Sequence, residues 1–224
     1  MAQLFDSLPI RGITLQNRIA VSPMCQYSSE DGFANDWHLV HLGGRAVGGA
    51  SLVFTEATAV TPEGRITAQD LGIWKDAHIE FLSRIVRFLA SQGVVPGMQL
   101  AHAGRKASTQ RPWEGSDAVP VEKGGWVPLA PSAVAYSDHY AMPRAMSKDE
   151  IRGVVDAYAQ AARRALDAGF RILEIHAAQG LPANAAELKL RVGEGITGWV
   201  ARTGQPTRVG DVRGDPRYAA PWST

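Results

Sequence analysis

The chain has 224 residues, of which 45% are hydrophobic, enough for one large domain or a domain joined to a fragment, with a sizeable core either way. Its 23 Lys and Arg nearly cancel 22 Asp and Glu, so it lacks the electrostatic footprint of a nucleic-acid binder or of a protein held on an anionic membrane, and small molecules are the expected partners. Met1 to Asp6 has neither the basic start nor the apolar run of a signal peptide, no apolar stretch approaches spanning length, and a single cysteine forms no internal disulfide, so the cytoplasm is the expected compartment.

Along the chain, short apolar runs alternate with helical periodicity, the pattern of parallel strands joined by crossover helices, and four such units are expected. Arg18 to Met24 is the first apolar run. A helix is predicted from about Asp36 to Val47, with Gly48 and Gly49 at its end. Ser51 to Thr55 is the second run. Asp76 opens a helix that carries Ile79, Leu82, Ile85, Val86 and Leu89 on one face and closes at Gly93. Val94 to Leu100 is the third run. The polar, Pro-rich stretch from Ala101 to Met146 is too long for a plain connection and predicts an active-site excursion. Ser147 and Glu150 form a capping box. The helix they start carries Ile151, Val154, Val155, Tyr158, Ala162, Ala165 and Leu166 at helical spacing and stops at Gly169, before a fourth strand at Arg171 to Ile175.

In such folds the loops after the strands converge above a packed core, so chemistry collects at the carboxyl ends of the strands. Cys25 and Tyr27 follow the first run and Glu56 and Thr58 the second. Gln99 ends the third with His102 and Arg105 beyond it, and His176 ends the fourth. Glu56, His102 and Arg105 read equally well as the ordinary polar residues that any strand ends would show. A thiol, an amide and an imidazole on separate strands are harder to ascribe to chance, though their spacing alone names no reaction.

The segment Ser22-Pro23-Met24-Cys25-Gln26-Tyr27-Ser28-Ser29 resembles the first-strand signature of the old yellow enzymes, in particular the bacterial NADPH dehydrogenase and xenobiotic reductase subgroup. Gly64-Arg65-Ile66-Thr67 with Leu71-Gly72-Ile73-Trp74, then Gln99-Leu100-Ala101-His102-Ala103-Gly104-Arg105-Lys106-Ala107, then Glu174-Ile175-His176-Ala177-Ala178 follow in the family's order. The resemblance runs from Leu4 to about Gly180. It implies the N-terminal half of a TIM-type (β/α) barrel over residues 1–180, binding FMN at its mouth, taking hydride from NADPH and passing it to an α,β-unsaturated carbonyl or a quinone.

Carried over by position, the resemblance implies that Ser22, Pro23, Met24 and Cys25 line the isoalloxazine, with Ala57 packed close to it and Gln99 bonded to its pyrimidine edge. An amide suits that edge because it both donates and accepts. Cys25 would tune the flavin through a weak S–H donor, where the plain alternative is a small buried hydrophobe. Tyr27 would contact substrate, or else serve only as an amphipathic lid residue. His176 would hold the substrate carbonyl, with Gln179 in place of the subgroup's second histidine. Leu181 occupies the position of the proton-donating tyrosine, and general-acid assistance is worth roughly a hundred to ten thousand fold, so weakened alkene reduction is expected.

A full barrel takes eight strand/helix units, with its phosphate site in the last two, so the resemblance also implies reduced flavin affinity. After a junction at 181–186, residues 187–224 resemble part of a GAF sensory domain, an α+β fragment: Glu187-Leu188-Lys189-Leu190-Arg191-Val192 alternates like a strand, and a glycine-rich turn runs from Gly193 to Gly198. Two readings follow. One is an FMN-dependent oxidoreductase, impaired or restored by a homodimer in which each half barrel's fourth strand meets the other's first. The other is a non-catalytic fusion or truncation product with a GAF-like remnant.

Overall fold

The computed structural model describes residues 3–176, all of them within the first of the two units into which the chain divides, Met1–Ala177 and Ala178–Thr224. The junction, the GAF-like segment, Gln179 and Leu181 therefore lie outside the described residues. The chain opens with an antiparallel hairpin of β1 (Leu8–Ile10) and β2 (Ile13–Leu15), in which Leu8 pairs with Leu15 across a two-residue turn. Arg11, at that turn, takes a left-handed φ of 54°. The two-residue Arg11-Gly12 connection between short apolar runs was the available sign of this hairpin.

A parallel sheet follows, in the order β3 (Ala20–Val21), β4 (Leu52–Ala59), β5 (Val95–Ala101) and β8 (Ile172–His176). Helices α1 (Asp36–Val47), α2 (Ile79–Ser91) and α3 (Lys148–Ala168) make the crossovers. The first strand is far shorter than the expected Arg18 to Met24. Pro23 has no N–H for a ladder, and beyond Val21 the chain leaves the sheet to turn over the strand ends. β4 runs four residues past the expected Thr55, because a bulge between Phe54 and Ala57 breaks the alternation that marks a strand.

The helices begin and end for local reasons. Asn35 caps α1 by accepting from the Trp37 N–H, and Ser147 caps α3 by accepting from the Glu150 N–H while Glu150 returns the bond. A 3₁₀ turn over Asp76–His78 precedes α2. Val53, Met98 and Leu100 on the outer face of the sheet pack with Leu82, Ile85 and Leu89 of α2 and with Ala161 and Ala165 of α3. α3 differs from its expected apolar face: Val155 and Leu166 are 62% and 58% exposed, and the buried line is the alanine row Ala161, Ala165 and Ala168, whose small side chains let the helix lie close to the sheet.

The long excursion is ordered rather than plain loop. It contains three 3₁₀ turns and a parallel pair, β6 (Leu129–Ala130) and β7 (Arg144–Ala145). Buried Ser108 accepts from the Trp126 N–H, and the Trp126 indole donates to the Glu63 carbonyl at 2.9 Å, which ties the excursion to the loop after β4.

Candidate active site

Strand register sets the site. Ala57 pairs with Gln99 and Gln99 with Glu174, and one step further Ala59 pairs with Ala101 and Ala101 with His176. Because side chains alternate along a strand, these six share the face opposite the helices, as two successive rungs across three strands. Three of the six are alanines. They leave a flat, shallow floor with an amide at one end and an imidazole at the other.

Over this floor lies a cavity of about 320 Å³, lined among others by Pro23, Cys25, Ala57, Gln99 and His176, together with Asp70. The structure thus brings together five of the nine residues given a site role by the resemblance, and His102 of the strand-end residues besides. Ser22 and Met24 do not line the cavity, and both are exposed. In the segment that follows β3, Pro23 and Cys25 line the cavity while their neighbours Ser22 and Met24 face outward. Tyr27 lies on the adjoining turn, with a left-handed φ of 51° and its ring edge-on to Trp113 of the excursion at 5.8 Å.

Burial governs the electrostatics. The Cys25 thiol is pushed up to about 11, first by burial and then by the charges of Asp70 and Glu56, so at neutral pH it is a protonated, weak donor rather than a thiolate nucleophile. Burial also raises the Tyr27 phenol well above its ordinary value, and the neighbouring Cys25 and Asp70 add to this. Asp70 rises from 3.8 to about 6 because its burial outweighs the bonds it accepts from the Ile66 and Thr67 N–H groups and the Thr67 hydroxyl. His102, at the cavity wall, is lowered by desolvation. Its Nδ1 accepts from the Gly104 N–H, which assigns the proton to Nε2.

Four participants were not singled out in the sequence. Glu174 accepts from the Gln99 amide at 2.8 Å, and period-two counting back from His176 would have put it on the same face. Asp70 shows only the weak signal of a threonine three residues before an acid. Ala59 and Ala101 offer no chemical signal at all, since their role is to be small.

A model of the NADH:flavin oxidoreductase / NADH oxidase family matches residues 3–184. The chain is 48% identical over 182 residues to an NADH:flavin oxidoreductase of Gibberella zeae, covering 80% of this chain and 44% of that protein. It is 45% identical over 184 residues to the NADPH dehydrogenase of Bacillus cytotoxicus, covering 81% and 49%. Among solved structures, morphinone reductase superposes with a TM-score of 0.67 at 30% identity over 78% of this chain and 48% of that one. The old yellow enzyme homologue from Zymomonas mobilis gives 0.66 at 32% identity over 80% and 49%. The chain spans about half the length of these relatives. These neighbours are TIM barrels, and the four-stranded parallel sheet described above is a partial α/β fragment consistent with a truncated barrel. With sequence and backbone agreeing over the same stretch, the chain belongs to the NADH:flavin oxidoreductase / NADH oxidase family, the old yellow enzymes, whose members use FMN.

Proposed function

We propose that the cavity is an FMN site and that the chain takes hydride from NADPH and passes it to an α,β-unsaturated carbonyl or a quinone. The observation that carries this reading is the alanine floor between Gln99 and His176. A flat apolar floor accepts a planar ring system without steric cost. The Gln99 amide gives one N–H to Glu174 and keeps its oxygen and second N–H without a partner among the described residues, so it can both accept and donate at a heteroaromatic edge. The residues present therefore fit the group.

When bound, FMN supplies the two-electron chemistry. The chain's own residues hold and orient. Pro23 and Cys25 close the cavity on the β3 side, and the protonated thiol offers a weak hydrogen bond without a covalent step. His176, at the end of β8, can donate an imidazole N–H to a substrate carbonyl oxygen and so favour charge developing there. Tyr27 keeps its phenolic proton and can hydrogen-bond substrate from the turn above. The second donor, Gln179, and the weakening expected from Leu181 are readings of the sequence outside the described residues. Lys106 is the one lysine or arginine lining the cavity among the described residues.

A second copy of the chain is the partner this reading adds. Among the described residues β3 and β8 are the edges of the sheet, and pairing each β8 with the other copy's β3 about a twofold axis would close both. The test is the visible spectrum of the protein after incubation with FMN and desalting, with its mass determined by size exclusion. Retained flavin in a dimer, bleached by NADPH, is the expected result. A colourless sample favours the non-catalytic fusion or truncation product.

A further inference from the structure

The bulge in β4 does more than lengthen a strand. Phe54 pairs with Gly97 and Ala57 with Gln99, so Thr55 and Glu56 together face the single residue Met98. A bulge of this kind re-aims the side chains beyond it. It puts Ala57 and Ala59 on the cavity floor, where unbroken alternation from Phe54 would have put Glu56 and Thr58. The extra residue is tied down, since the Glu56 carbonyl accepts from the Thr58 hydroxyl at 2.8 Å and from the Thr55 hydroxyl at 3.2 Å.

The Glu56 side chain, 1% exposed, meets the turn after β3. Its Oε2 accepts from the Gln26 N–H at 2.8 Å. Its Oε1 lies 3.1 Å from Nε2 of His38, itself 2% exposed, in close contact but without an aligned hydrogen bond. His38 is seated from the other side through Nδ1, which faces the Asn35 N–H and Oδ1 at the start of α1. A buried carboxylate with so few partners is costly, and apolar side chains of similar size would often serve stability as well. What an apolar residue could not do is accept from Gln26. That residue stands between Cys25 and Tyr27, and a left-handed tyrosine persists only where its surroundings over-determine it.

We propose that Glu56, seated by His38, is a positioning residue that clamps the Cys25-Gln26-Tyr27 turn and so sets where the thiol and the phenol stand in the cavity. Its consequence for catalysis rests on the flavin reading above, but the clamp itself is a property of the chain without flavin. Cys25 is the chain's sole cysteine, so its alkylation reports on the turn directly. The titratable groups around it are Glu56 from β4, Asp70 from the following loop, Tyr27 from its own turn, and His102, Lys106 and His176 across the cavity.

The experiment is the pH profile of iodoacetamide alkylation of the full chain, which separates a plateau rate, set by access to the thiolate, from a midpoint, set by charge. Glu56→Ala removes the acceptor and is expected to raise the plateau about tenfold or more, the worth of a hydrogen bond to a charged group. Glu56→Gln keeps an acceptor oxygen for Gln26 and is expected to leave the plateau within about threefold of the parent. It also removes a negative charge, so the midpoint moves down from about 11. A folded Glu56→Ala protein with the parent's plateau overturns the proposal. Should that variant fail to fold, hydrogen exchange at the Gln26 amide of the unaltered chain decides the matter. Protection of about a hundredfold or more over an open loop is expected, and free exchange overturns it. A chain that fails to hold FMN leaves both readouts intact, so the two readings fail separately.

Discussion

Gln99 and Glu174 stand directly opposite each other on β5 and β8, the amide N–H donating to the carboxylate at 2.8 Å. This bond fixes one of the few polar side chains on an otherwise alanine floor. Fixing a side chain before a ligand arrives removes about 0.5–1.5 kcal/mol of ordering from the binding step. Glu174→Ala should therefore weaken FMN binding by about 1 kcal/mol, roughly fivefold, with the fold unchanged. Titration by flavin fluorescence quenching measures it, and equal dissociation constants for parent and variant would remove Glu174 from the site.

Asp70 makes stability depend on pH in an unusual direction. Its folded value of about 6 lies above the ordinary 3.8, so the native state holds this proton more tightly than the unfolded chain. The resulting stabilisation is fully present below about pH 4 and is lost as pH rises through 6, a change of roughly 2–3 kcal/mol. Asp70→Asn cannot titrate and should lack that part of the slope. Thermal midpoints of both proteins across this window provide the check, and parallel curves would mean that Asp70 ionises normally.

How much of this was legible in the sequence depended on the kind of signal. α1 and α3 were readable because Gly48, Gly49, Ser147 and Gly169 mark their ends chemically, and α2 because its apolar face repeats at helical spacing. β4 was cut short because a bulge erases a period-two pattern, and the same bulge hid Glu56, which looked like a residue after the strand and is buried within it. Cys25, Gln99 and His176 could be named from motifs. Ala57 came with the same resemblance, but Ala59, Ala101 and the carboxylates behind them could not be named, since smallness and tertiary pairing leave no local mark.

Gly97 tests the packing beside the bulge. A Cβ built there would stand 2.7 Å from two ring carbons of Phe54, its partner across β4 and β5. The ring lies against the strand itself, so relief requires the aromatic side chain or the strand to move. Gly97→Ala should cost about 1–3 kcal/mol, the usual toll of overpacking. Denaturant unfolding is the measurement. Neutrality would show that Phe54 has room to swing away.

The two faces of the sheet make opposite predictions at close range. Ala57 lines the cavity and is half-buried, so a larger side chain there would occupy the floor. Ala57→Leu should leave the unfolding free energy within about 0.5 kcal/mol of the parent while lowering FMN retention about tenfold or more, because a branched side chain holds a planar ring off the alanines. Leu100, one residue from Gln99 but turned to the helices and 1% exposed, should behave in reverse. Leu100→Ala should cost about 2–5 kcal/mol through loss of burial and the cavity left behind, with the floor residues themselves untouched. Unfolding curves and flavin titrations on the same two proteins separate the roles. If Ala57→Leu bound FMN as the parent does, the floor would not be where the ring lies, and the proposed function would lose the observation that carries it.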